Sequence, residues 1–120
     1  MITQANAILI FLTIHYIADY LCQHPWMAVN KSKRFLPLVS HIIVYTSIMG
    51  AVAFFIFGYS SVLIAFIFMN GIAHMITDYN SSRASSRLYK EKKYWRFFST
   101  LGMGQLAHQV VLIYSLTMFY

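Results

Sequence analysis

Two aspartates and four histidines fall within stretches that are otherwise apolar, and their spacing is regular. His15 and Asp19 are four residues apart, as are His74 and Asp78. On a helix, that spacing puts both members of a pair on one face, one turn apart. His41, Gln105 and His108 lie in further apolar runs. Neutral imidazole and carboxylate are the ligands that zinc and similar divalent ions take, and i, i+4 placement presents two of them together. His15, Asp19, His41, His74, Asp78 and His108 are therefore the candidate metal ligands. Asp19 and Asp78 are also candidate catalytic carboxylates, either completing the ligand shell or serving as general base for a water made acidic by the ion. Two other roles stay open. Inward-facing His and Asp chains can relay protons, and polar side chains can glue membrane helices at about 0.6 kcal/mol per contact. Each histidine alone fits glue best; the two pairs together shift the balance toward a metal and leave relay and network open.

The elements that must position these residues follow from composition. Apolar residues make up 59% of the 120 and charged residues only 10%, where a soluble domain carries about 25% charged. Such a chain lacks the polar surface to stay in solution. The length suits a single domain. Four spans are expected, over residues 6–22, 36–57, 62–79 and 98–120. Each is roughly 17–23 residues, enough to cross about 30 Å of hydrocarbon. No period-2 alternation is present, so the expected fold is an all-α bundle of four transmembrane helices. Gly58-Tyr59-Ser60-Ser61 makes the second and third a tight hairpin. Pro25 suits the end of the first span, and Pro37 the first turn of the second. No signal peptide is expected, because His15 and Asp19 interrupt the first apolar run. The single cysteine, Cys22, cannot form an internal disulfide and reads as a packed or lipid-edge thiol.

The net charge of +6 comes from nine basic and three acidic residues. Lys31, Lys33 and Arg34 lie between the first two spans; Arg83, Arg87, Lys90, Lys92, Lys93 and Arg96 lie between the last two. The positive-inside rule then makes both loops cytoplasmic and both termini exterior, in a multi-pass protein of the inner membrane. This distribution argues against nucleic acid as a partner. Residues 80–97 mix basic and aromatic side chains and read as an amphipathic cytoplasmic loop, forming a short helix that lies on the anionic inner leaflet, or as a docking surface for a membrane partner. With the orientation fixed, all seven polar residues fall in the cytoplasmic halves of their helices, and a single inward-facing layer is expected. An Asp at a helix centre costs about 2.5–3.5 kcal/mol on insertion scales, so such residues are rarely passengers.

The run His15-Tyr16-Ile17-Ala18-Asp19-Tyr20-Leu21-Cys22-Gln23, then Trp26-Met27-Ala28 with Lys31, the lone His41, and His74-Met75-Ile76-Thr77-Asp78 together resemble a known pattern. The pattern belongs to a family of small bacterial and phage integral membrane proteins of unknown function, loosely grouped with membrane-bound metal-dependent hydrolases. The resemblance implies a divalent ion such as zinc and a hydrolytic reaction at the cytoplasmic face. It departs in the fourth span, where the family's Asp-Gln-x-x-His reads Gly104-Gln105-Leu106-Ala107-His108 and is one carboxylate short. The alternative is a non-enzymatic bundle that handles protons or solutes, or an effector docking on a host membrane complex. A pore-forming lysis protein is a third reading, against which the polar layer counts. Self-association is expected, since four helices enclose little volume for a substrate.

Overall fold

The computed structural model describes residues 1–120, which are helical throughout apart from short turns. Helix α1 spans Gln4–Tyr16 and continues through a π-helical turn at Ile17–Leu21; α2 is Pro25–Asn30, α3 Phe35–Phe57, α4 Ser61–Lys90 and α5 Tyr94–Thr117. Thr3 caps α1, its hydroxyl accepting from the Asn6 N–H at 3.2 Å. Ser60 caps α4 by accepting from the Leu63 N–H at 3.1 Å. Such caps satisfy donors that the first turn leaves free. Gly58, at φ 74°, ends α3 in the left-handed region that a side chain resists. The hairpin between α3 and α4 follows from these two residues.

The long helices run up and down in a bundle 49 Å long. Tyr120 donates its hydroxyl to the Ile2 carbonyl at 3.1 Å, and its ring meets Phe57 at 5.9 Å, so both termini and the Gly58 turn share one end. Lys31 and Ser32 reach Asp78 and Ser86 of α4, which puts the two basic connections together at the other end.

The interior changes character along the bundle axis. Near the termini it is apolar: Phe11, Met49, Ala53, Leu63, Phe66, Leu112 and Leu116 are all buried. Phe57 stacks on Phe119 at 4.1 Å, and Phe11 meets Phe66 edge-on at 5.5 Å. Asn70 marks the change, donating to the Ser115 hydroxyl of α5 at 2.8 Å. Beyond it the buried positions of α4 are His74, Asp78 and Ser85. One continuous face of α4 thus runs from Leu63 and Phe66 into the polar layer. The outward faces are apolar instead, with Leu9, Phe55, Phe68, Ile76, Leu106 and Val110 all exposed.

Two expectations are revised. Only α3 and α4 are long and apolar enough to cross a membrane, rather than four spans. Helix α1 has 13 residues before its π turn, and α5 carries Arg96, Ser99, Thr100, Gln105, His108 and Gln109. The segment 80–97 is helical as expected, but not as a separate short helix: it is divided between the end of α4 and the start of α5. Helix α4 runs on through Asn80-Ser81-Ser82 to Lys90, at about 1.5 Å per residue far beyond what a span needs. No Gly or Pro lies in that stretch to stop it. Its end is a Schellman closure: the Lys93 N–H donates to the Leu88 carbonyl at 2.9 Å and Lys92 to Tyr89 at 3.0 Å. Lys92 takes the left-handed position at φ 57°, where glycine usually sits and where it would have marked the helix end.

Phe66 and Phe68 neighbour one another on α4, yet one is fully buried and the other 64% exposed. Phe66→Ala is expected to cost about 3–5 kcal/mol of stability, while Phe68→Ala stays within about 0.5 kcal/mol. Unfolding of purified protein checks the pair; equal losses would mean that the inward face is misassigned.

Candidate metal centre and its approach

Four elements deliver the polar layer. Asp19 comes from the π turn, where the Cys22 N–H reaches back five residues to the Ile17 carbonyl at 2.9 Å. The wider turn keeps Ala18 and Asp19 both buried; such turns are frequent at functional sites. His41 comes from α3, and His74 and Asp78 from successive turns of α4. All four are buried, and one ligand atom from each lies within 4.8 Å of the others.

The distances are specific. His41 Nε2 is 3.0 Å from Asp19 Oδ1, 3.2 Å from His74 Nε2 and 3.3 Å from Asp78 Oδ2. His74 Nε2 is 3.2 Å from Asp19 Oδ1 and 3.5 Å from Asp78 Oδ2. These five edges match those of a regular tetrahedron whose centre lies about 2.0 Å from each corner, the bond length of zinc to imidazole nitrogen or carboxylate oxygen, and the sixth, between the two carboxylate oxygens, is under 4.8 Å. The donor set therefore fits a small divalent ion.

Packing fixes the imidazoles. His74 lies between Tyr45, at 4.0 Å centroid to centroid, and His108, stacked at 3.9 Å and 8°. The Nδ1 atoms of His41 and His74 have no hydrogen-bond partner. Their orientation thus rests on neighbouring rings rather than on the carboxylate or carbonyl that usually holds a ligating histidine. Neither nitrogen of His108 is hydrogen-bonded; they lie 3.9 Å from Asp19 Oδ2 and 3.5 Å from Asp78 Oδ1.

A relay runs outward from Asp19. The Gln105 amide donates to Asp19 Oδ2 at 3.0 Å, and its carbonyl oxygen contacts His15 Nε2 at 3.0 Å. Since that oxygen can only accept, His15 carries its proton on Nε2. His15 Nδ1 then accepts from the Tyr45 hydroxyl at 2.9 Å. His15 and His108 form a second buried group with Asp19, beside the four-atom centre. The structure thus brings together all six histidines and aspartates singled out by spacing, with Gln105. His24, the remaining histidine, is apart: it is exposed and caps α2, accepting from the Trp26 N–H at 3.1 Å.

Lys31, Tyr45 and three serines were not read as part of the layer, although Lys31 belongs to the family pattern. Lys31 donates to Asp78 Oδ2 at 2.8 Å, although its run reads as a topology signal. Tyr45 follows His41 by four residues, a spacing that already placed it on the same face. Ser81, Ser82 and Ser85 extend the buried face of α4 beyond Asp78. The fourth-span departure proves local: a Cβ on Gly104 would meet Ser81 Cβ and Oγ at 3.2 Å. The four-atom centre takes nothing from position 104.

A cavity of about 770 Å³ leads to this layer from the basic end, with Asp19, Asp78 and Gln105 among its lining. Its walls come from the end of α1, from α2, from the α4 extension and from the start of α5.

A family model described as protein of unknown function (DUF3307) matches residues 7–120. No curated protein and no solved structure matches the chain.

Tyr45→Phe leaves buried His15 Nδ1 without its donor and is expected to cost about 1–3 kcal/mol. Tyr59→Phe, at an exposed turn position, should be silent. Thermal unfolding of the two variants measures this; an unchanged Tyr45→Phe would show that the relay does not hold Asp19.

Proposed function

The chain belongs to that family, whose description assigns no activity, and from the site's geometry we propose that it is a membrane-embedded, metal-dependent hydrolase. The observation that carries the reading is the tetrahedral set of His41, His74, Asp19 and Asp78. Two buried carboxylates need compensation, and Lys31 is the only lysine or arginine paired with them. A divalent ion at the centre would supply the missing charge, together with Lewis acidity toward an oxygen.

The chain's own residues then divide the work. Asp19 presents one oxygen to the centre while Gln105 holds the other. Asp78 Oδ1 accepts no hydrogen bond, and Asp78 lines the cavity, so it is the group placed to take a proton. His108 Nε2, 3.5 Å away, can receive that proton next. Asp19 and Asp78 thus keep the catalytic and ligand roles their spacing suggests, and His15 acts by holding Gln105. A second reading, proton handling without a metal, draws on the continuous path Tyr45–His15–Gln105–Asp19; metal content separates the two.

The membrane placement is supported by the reversal of polarity between inside and outside. Helices α1 and α5 pack against α3 and α4 and carry exposed apolar residues of their own, including Leu9, Leu106 and Val110. If α3 and α4 cross the bilayer, their partners lie at the same depth. All nine Lys and Arg lie in Lys31–Arg34 and Arg83–Arg96, toward the end opposite the termini. That end is cytoplasmic by the positive-inside rule, in an inner membrane, with the termini outside. A second copy or another membrane protein is the partner class that the exposed helix faces would admit.

Elemental analysis of protein purified without chelator should find one divalent ion per chain, with zinc as first candidate. His41→Ala and His74→Ala should each weaken its binding by about a hundredfold or more, while His24→Ala leaves it unchanged. If the wild type carries no metal and added zinc does not raise its melting temperature, the metal reading fails. In a Cys22→Ser background, impermeant thiol reagent should reach Tyr59→Cys from outside and Glu91→Cys only from the cytoplasm. The reverse would invert the orientation.

A further inference from the structure

The cavity has a chemistry that the metal centre does not explain. Its carboxylates, Asp19 and Asp78, belong to the centre. The remaining charged lining is cationic, from Lys31, Lys33 and Lys90. Between these stands a run of hydroxyls, Ser81, Ser82, Ser85 and Ser86, on the wall formed by the α4 extension. The buried Ser82 Oγ has no hydrogen-bond partner. Ser85 donates to the Ser82 carbonyl at 3.3 Å and Ser86 pairs with Ser32 at 3.4 Å, which leaves the Ser81 and Ser82 hydroxyls, beneath the lysines, as the donors on offer. This lining would repel a cationic substrate and leave a purely apolar one with unmatched polar walls.

From this donor set we infer that the cavity recognises a phosphate group, so that the substrate class is a phosphate ester or anhydride. This rests on the metal-centre reading above. A phosphate presents three or more acceptor oxygens and rewards several charge-assisted donors, where a carboxylate is met by two. An ion on Asp19 and Asp78 also changes what Lys31 can do. Its ammonium now donates to Asp78 Oδ2; with that oxygen engaged by a divalent ion, the lysine is free to meet an anion. Centre and lysine adjoin one another at Asp78 and could both meet oxygens of one phosphoryl group, which is how such charge is stabilised in displacement. The volume exceeds what inorganic phosphate needs and falls in the range of sites for larger ligands. Ala28, Val29, Phe97 and Leu101 give the wall formed by α2 and α5 an apolar character, suited to the remainder of such a molecule. Two sources of the group share this chemistry, a soluble phosphate ester and a lipid phosphate.

The test is binding, read apart from catalysis, on metal-loaded protein in nanodiscs of neutral lipid. One arm titrates inorganic pyrophosphate and the other adds phosphatidic acid, with diacylglycerol as its uncharged control. Saturable binding in either arm is expected, and the arm that binds tighter names the source. Lys33→Ala/Lys90→Ala should weaken it about tenfold. Ser82→Val should weaken it as well. The charge-matched Arg87→Ala/Arg96→Ala, at basic positions outside the cavity lining, should not. Metal content is measured on every variant and should stay constant. Binding equally weakened by both double variants would reduce the effect to diffuse surface charge and overturn the proposal, as would no binding in either arm. Retained binding in a preparation shown to hold no metal would sink the metal centre and leave the phosphate site standing.

Discussion

Two carboxylates side by side in the middle of an apolar bundle are the constraint on which the rest of this molecule turns. A buried, ionised aspartate without partners costs several kcal/mol, and a second one nearby adds repulsion. Every element contributes something to that pair. Helix α1 gives the π turn that turns Asp19 inward, and α3 gives His41. The α4 face adds His74 beside Asp78, α5 adds Gln105 and His108, and the link after α2 adds Lys31. The apolar half, from Phe11 to Leu116, supplies the packing that holds this arrangement in place. The two halves of the interior do different jobs.

The same constraint accounts for local departures from ideal helix geometry. Cys22 bonds back to Ile17 rather than Ala18, which widens the turn where Asp19 sits. Gly104 lets α5 lie against Ser81 of α4 without a Cβ between them. At the far end α4 continues past the depth of the centre and closes on Lys92 in a left-handed conformation. That extension forms a wall of the cavity. A helix stopping at Tyr79 would leave Asp78 open at the surface.

Much of this was legible from residue spacing. The i, i+4 pairs, with His41, Gln105 and His108 in separate apolar runs, identified a shared polar layer, and the structure assembles those residues. The apolar runs located both ends of α3 and the start of α4 to within a residue. The end of α4 was hidden because its closing residue is a lysine, and because serines that look like a loop are tolerated on a helix whose flank is polar. Lys31 was hidden for a different reason. Position relative to the spans explained it fully, and nothing local distinguishes a lysine that turns inward from one that faces water. Its partner, Asp78, is 47 residues away, so only the tertiary fold could reveal the pair. The π turn at Asp19 likewise follows from packing, since the sequence there reads as an ordinary helix.

Lys31 also ties the centre to the cavity. Its ammonium and the proposed ion share one oxygen, Asp78 Oδ2, so neither can be understood alone. Between the two carboxylates and the lysine alone, the balance is one negative charge. With a divalent ion present, the same groups carry one excess positive charge, facing the serines of α4. Loading the centre would therefore make the floor of the cavity more positive, without any helix having to move. In a low-dielectric interior such a change is felt strongly over a few ångströms and is poorly screened by salt. An anionic substrate would be held more tightly when the centre is loaded, which couples metal binding to substrate binding.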